Sequence, residues 1–153
     1  MQVNFYHLTR TPVERALPRL LEKILQRQER ALVLVAPEKL SILDDALWTY
    51  RPDGFLPHGT ASTGRAEDQP LWLTENEVEL HQNPNQSKYV VLTGGRKFPS
   101  HLSFESCFYM FDGHLQDELE EGRNAWRRLR EEGGHLLIYW KQDSQGNWVR
   151  EEL

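Results

Sequence analysis

An α/β architecture with a mostly parallel central sheet follows from three features of the sequence. Ala31-Leu32-Val33-Leu34-Val35-Ala36 is an uninterrupted apolar run of strand length, the pattern of a strand covered on both faces. Before it, Ala16, Leu17, Leu20, Leu21, Ile24 and Leu25 recur every three or four positions among Arg, Glu, Lys and Gln, as on an amphipathic helix. Near the other end, Gly133-Gly134 separates a long charged helical stretch from the apolar run His135-Leu136-Leu137-Ile138-Tyr139-Trp140. Strands therefore alternate with helices, an order that predicts a single Rossmann-like domain of three layers, with helices flanking the sheet.

Taken in order, Val3-Asn4-Phe5-Tyr6-His7-Leu8 mixes β-branched and aromatic residues and reads as the first strand. Thr11 is a suitable cap for the first helix and Pro12 suits its first turn. Pro18, a turn and a half inside, should bend that helix or delay its start, because proline lacks the N–H of the helical ladder. The helix is expected to close at Arg30. After the Ala31–Ala36 strand, with a right-handed crossover expected for the unit, a helix beginning near Pro37 or Ser41 should run to Tyr50. Pro52 stops it by disfavouring helical dihedrals at Arg51.

Residues 59–70 are small and polar and read as an exposed, mobile loop. Leu71-Trp72-Leu73 is a short strand, residues 75–88 lack periodicity and read mostly as loop, and Tyr89-Val90-Val91-Leu92 is again a strand. Gly94-Gly95-Arg96-Lys97 turns the chain, and Phe98-Pro99 leads into a short helical or irregular turn. Glu105–Phe111 forms the next strand, ending at Asp112, which suits the cap of a helix through about Glu132. That helix carries Asp117, Glu118, Glu120 and Glu121 early and Arg123, Arg127, Arg128 and Arg130 late, a gradient that complements the helix dipole. The strand at His135–Trp140 closes a domain of residues 1–142. Residues 143–153 are expected as a polar, loosely held tail, whose Glu151 and Glu152 are weak competitors for any basic face.

The chain has 153 residues, enough for one domain with its own core, with 39% hydrophobic and 27% charged residues. Its net charge of -5 argues against a duplex-wrapping protein, since affinity for nucleic acid comes largely from neutralising phosphates with cations. No apolar run approaches the roughly 20 residues of a membrane helix. The N-terminus lacks a signal peptide's pattern, so a cytoplasmic location is expected. A single cysteine, Cys107, excludes an internal disulfide and lies in an apolar run as a small buried hydrophobe.

Catalytic signatures are sparse. Neither a G-x-x-x-x-G-K-[ST] nor a G-x-G-x-x-G pattern occurs, which leaves only Thr93-Gly94-Gly95-Arg96-Lys97 for a phosphate. A nucleotide-binding enzyme built on that Gly94-Gly95 turn is the alternative reading. The six histidines show no metal spacing, and adjacent Asp44 and Asp45 diverge by about 100° on a helix. What remains is the last helix, where Arg123, Trp126, Arg127 and Arg130 stand at i, i+3, i+4 and i+7 and share a side. An indole among guanidinium groups suits an acidic peptide ending in an apolar residue and a carboxylate. Trp126 as core with arginines on the surface fits the spacing equally well. Direct single-strand binding through Trp126, Trp140, Trp148 and the arginines is a further possibility, by base stacking.

Leu43-Asp44-Asp45-Ala46-Leu47-Trp48-Thr49-Tyr50-Arg51-Pro52-Asp53-Gly54-Phe55-Leu56-Pro57-His58-Gly59 carries a helix end into an aromatic loop. Phe55 there either folds under its own domain or, with Trp48, presents an anchor to a partner. In the spacing of Trp, Pro, Phe and Pro-His, and in the opening Asn4-Phe5-Tyr6, the sequence resembles the chi subunit of bacterial DNA polymerase III over most of residues 1–142. The resemblance implies a Rossmann-like scaffold with no catalytic activity, cofactor or metal. It implies pairing with the psi subunit and, through psi, attachment to the clamp loader. It also implies binding of the acidic C-terminal tail of single-stranded DNA-binding protein, with DNA met mainly indirectly and no membrane contact. Carried over by position, the tail site is Arg123, Trp126, Arg127 and Arg130, and the psi contact is Trp48, Phe55, Pro57 and His58. Trp and Arg stand where the family has other aromatic and basic types, and the polar loop after Gly59 departs from its pattern.

Overall fold

The computed structural model describes every residue of the chain except Phe55. In order, the elements are β1 (Gln2–Leu8), α1 (Val13–Gln26), β2 (Ala31–Leu34), α2 (Leu40–Trp48), β3 (Leu71–Thr74), α3 (Glu79–Gln82), β4 (Tyr89–Thr93), β5 (Ser106–Asp112), α4 (Gln116–Glu132), β6 (Leu136–Gln142) and β7 (Trp148–Glu151). The strands form one sheet in the order β3-β2-β4-β5-β1-β6-β7. Every pairing is parallel except β6 with β7, so the sheet is mixed. Successive strands β1 and β2 are not neighbours, because β1 is inserted between β5 and β6.

Side chains alternate across a pleated strand, and this sheet buries both faces. Val3, Phe5, Leu32, Leu34, Val90, Leu92, Cys107, Tyr109 and Phe111 pack on one side with Ala125 and Leu129 of α4 and with Phe98 and Phe104. Leu8, Ala31, Val33, Val91, Phe108 and Met110 pack on the other with Leu17, Leu21 and Ile24 of α1 and Leu43 and Leu47 of α2. Helices thus cover both faces. Cys107 is fully buried, and burial pushes its thiol pKa up, as for an inert core residue. On α4, Gly122 admits the ring of Phe111, whose atoms would lie 3.0–3.1 Å from an added Cβ. A side chain there would lift the helix from the sheet.

Several expected boundaries move. The first helix starts at Val13 and continues through Pro18, with Pro12 at the N-cap position and no side-chain cap from Thr11. It ends at Gln26, four residues before Arg30. The second ends at Trp48 rather than Tyr50. Asp112 belongs to β5, and its carboxylate accepts the His114 N–H at 2.8 Å, so α4 begins only at Gln116. Within the stretch read as loop, Glu79–Gln82 forms one helical turn that buries Leu80. The largest correction is at the C-terminal end. The expected loose tail forms β7, which pairs with β6 through Tyr139–Glu151, Trp140–Arg150, Lys141–Val149 and Gln142–Trp148. Trp148 packs edge-on against Tyr6 at 5.1 Å, an apolar contact that residue composition alone does not disclose.

One buried side chain ties this hairpin to the start of α1. The Gln142 carbonyl oxygen accepts the backbone N–H groups of Thr9, Arg10 and Thr11 at 3.1, 3.0 and 3.1 Å. Its amide nitrogen donates to Thr11 Oγ1 at 2.8 Å and to the Gly146 carbonyl at 3.2 Å. Thr11 thus accepts from Gln142, and Pro12 rather than Thr11 stands at the N-cap position. Replacing Gln142 with Leu removes one acceptor from three amides at once. The expected loss is about 2–3 kcal/mol of stability, or roughly 5–10 °C in Tm. Thermal denaturation of Gln142→Leu checks this, and an unchanged Tm would contradict it.

Candidate functional site

A groove of about 460 Å³ opens where α4 crosses the β1–β6–β7 end of the sheet. Its lining comes from β1 (His7), α4 (Leu119, Arg123, Trp126, Arg127), β6 (Tyr139, Lys141) and the C-terminal segment (Glu151, Leu153). The walls combine apolar surface with cations. Trp126 is half-buried, with its ring edge-on to Phe5 at 5.2 Å and to Tyr139 at 5.6 Å. Its inner edge joins the core and another part of it lines the groove. Its Nε1–H is buried and finds no acceptor among the described residues.

Arg123 and Arg127 are exposed on the same side of α4, one turn apart. The Arg127 guanidinium donates to the Asn124 side-chain oxygen at 2.6 Å and to the Arg123 carbonyl at 3.4 Å, which holds it along the helix. Arg130, the fourth residue of the expected set, is exposed but does not line the groove. It shares the azimuth of Arg123 but stands about 10 Å further along the axis. His7, Tyr139 and Lys141 were not in that set. Alternation along a strand puts Tyr139 and Lys141 on one face, but which face meets α4 is a tertiary property.

Electrostatics separates the buried groups from the rim. The His7 pKa is lowered to about 4, first by burial, then by Lys141, Arg123 and His114, with Asp112 opposing. The Tyr139 hydroxyl lies 3.0 Å from His7 Nδ1, and its own pKa is raised to about 12, chiefly by burial and then by Glu151. Both are uncharged at neutral pH. Among the described side chains that line the groove, the charged ones are then Arg123, Arg127 and Lys141 with Glu151, an excess of cations on a chain of net charge -5.

The second expected surface lies on the other face of the sheet, since α2 packs in the opposite core layer from α4. Trp48 is 46% exposed at the end of α2, and its ring lies 5.0 Å from that of His58. Pro57 is exposed, whereas His58 is buried. The His58 ring nitrogens lie 2.6 Å from the Leu56 carbonyl and 2.7 Å from the Asp44 carboxylate, so it braces the loop beneath Trp48. Phe55 lies outside the described residues.

The crevice at the carboxyl ends of adjacent parallel strands whose connections diverge is the usual ligand site of α/β sheets. Here β1 leads to α1 on one face and its neighbour β5 leads to α4 on the other. That crevice is narrow, about 170 Å³. Glu118 accepts the Asp112 amide at 2.9 Å and lies against Gly94, where an added Cβ would meet Glu118 Oε1. Burial raises the Glu118 pKa, the first of several causes. The neighbouring Gly95-Arg96-Lys97 turn faces Asp117, Glu118 and Glu121, so a phosphate placed there would meet three carboxylates. Arg96 is engaged with the carbonyls of Val35 and Glu75. The Gly94-Gly95 turn thus offers poor chemistry for a nucleotide.

Comparison with known proteins bears on the same residues. The model of the family described as DNA polymerase III chi subunit, HolC, matches residues 1–136. A curated relative, a probable DNA polymerase III subunit chi from Rickettsia prowazekii (strain Madrid E), is 30% identical over 92 residues. That stretch covers 60% of this chain and 53% of the relative, so the chain spans about half the length of the curated relative it matches. His7, Arg123, Trp126 and Arg127 fall inside the family match, while Tyr139, Lys141 and the β7 segment fall beyond its end.

His7 makes the groove sensitive to acid. Its folded pKa of about 4 lies below the ordinary value of 6.5, so between these the unfolded chain binds the extra proton. Its contribution to stability is complete above pH 6.5 and is lost as pH falls through about 4. The fall in Tm across that window should be smaller in His7→Gln than in the unsubstituted protein. Parallel curves for the two proteins would contradict this.

Proposed function

Because this chain belongs to the DNA polymerase III chi subunit family, we propose that it is a non-catalytic accessory subunit of DNA replication. In this reading the α4 groove receives the acidic C-terminal tail of single-stranded DNA-binding protein. The loop around Trp48 pairs with the psi subunit and so attaches the chain to the clamp loader. The domain is then a Rossmann-like scaffold, a description supported by helices on both faces of mostly parallel strands.

The observation that carries the reading is the convergence of Arg123, Arg127 and Lys141 around the apolar surface of Trp126, Leu119 and Tyr139. A peptide that alternates acids with a terminal apolar side chain is complementary to such a surface. The ring contacts the apolar residue, a guanidinium forks onto a carboxylate, and the remaining cations attract the other acids. An excess of positive charge at the groove also raises the encounter rate with an acidic chain, in a salt-dependent way. Arg130, one turn beyond, is positioned to meet acids earlier in such a tail. The psi surface is supported by exposed Trp48 and Pro57 on a loop braced from inside by His58. A large aromatic on a fixed support is the residue type that dominates interface energies.

Reversing the charge at Arg127 should weaken binding of the acidic tail peptide by roughly 100-fold. Because Arg127 is exposed, its Tm should hold. Calorimetry showing unchanged affinity for Arg127→Glu would refute the assignment. Replacing Trp48 with Ala should weaken psi association by roughly tenfold or more while sparing the peptide, since the surfaces lie on opposite faces. Co-purification with psi at undiminished yield would argue against that contact.

A further inference from the structure

We propose that Glu151, Glu152 and Leu153 form a ligand in cis for the α4 groove, a short acidic and apolar segment that competes with an incoming acidic peptide. Register places the segment. Glu151 is paired with Tyr139 and Val149 with Lys141, and directly paired residues share a face, so both project on the α4 side. Glu151 and Leu153 both line the groove opposite Arg123 and Arg127.

The segment also has freedom to enter. The last backbone pairing of β7 is at Glu151, and Glu152 and Leu153 beyond it are exposed, Leu153 at 65%. Glu152 is the first residue past that pairing, about 3.5 Å of backbone beyond it, and its side chain extends that reach at the rim. Among the described residues Arg123, Arg127 and Lys141 make no ion pair with a carboxylate, so the cations remain available. The segment stands at the mouth, carrying the same acid-plus-apolar chemistry that the groove selects.

The competition rests on the peptide-binding reading above, whereas the contact in cis does not. A ligand in cis multiplies the apparent affinity of the groove by the fraction of molecules left open, so a threefold loss corresponds to about two-thirds occupancy. The test uses the full chain and its Glu151→Gln/Glu152→Gln variant, titrated with a synthetic peptide of three aspartates closed by a C-terminal phenylalanine. At low salt the variant should bind about two- to fivefold more tightly, and the gain should vanish at about 0.5 M salt, where exposed charges are screened. Equal or weaker binding by the variant overturns the competition. Without peptide, the Trp126 indole N–H resonance should move between the two proteins, and an identical resonance overturns the contact. If the resonance moves while neither protein binds the peptide, the segment in cis stands and the tail-binding reading falls.

Discussion

Three consecutive backbone N–H groups at the approach to α1 converge on a single side-chain oxygen, that of Gln142. Amides turned toward one point form a concavity that, in many α/β proteins, cradles an anion. In this molecule the last residue of β6 fills it. The consequence is mechanical: the β6–β7 hairpin is fastened to the first loop of the domain, and with it the floor and outer wall of the α4 groove. It is chemical as well, because the amides that would otherwise grip a phosphate are already satisfied. Glu118 extends the same logic to the neighbouring crevice, where its carboxylate covers Gly94. Both positions are therefore occupied by the chain's own side chains.

The α4 groove forms where a desolvated aromatic cluster reaches the edge of the sheet. Phe5, Trp126 and Tyr139 pack edge-on or stacked within 5.2–6.0 Å of one another, and His7 joins them as a neutral ring. Burial and the surrounding cations together remove the charge from His7, so the interior of the groove stays uncharged while Arg123, Arg127 and Lys141 keep theirs at the rim. An apolar floor under a cationic rim is stable here because the long Arg side chains hold their charges in water. Trp126 links the two regions: its inner ring edge helps hold α4 on the sheet, and its surface in the groove is bought at no further cost in order.

The opposite face follows a different plan. His58 is not part of the presented surface but the brace under it, hydrogen-bonded within the loop and to α2. α2 and α4 belong to separate core layers, on opposite faces of the sheet. The loop after Gly59 lies at the β3 edge, where Gly59 bridges to Trp72, remote in the strand order from β6 and β7.

What the sequence determined by itself was everything set by local pattern. The apolar run of β2 and the 3.6-residue repeats of α1 and α4 are written in neighbouring residues. So is the glycine stop at Gly133-Gly134, both at positive φ. The shared azimuth of Arg123, Trp126 and Arg127 belongs with them, since helical geometry alone imposes it. Only the tertiary structure decided which strand faces meet α4, that β1 lies between β5 and β6, and that a polar tail becomes β7. Those outcomes depend on contacts between residues more than a hundred positions apart, such as Gln142 with Thr9 and Trp148 with Tyr6. Local propensity carries no term for a partner of that kind. At the first helix Thr11 meets a distant partner of this kind in Gln142, whereas Asp112 is engaged locally, by the His114 amide two residues on.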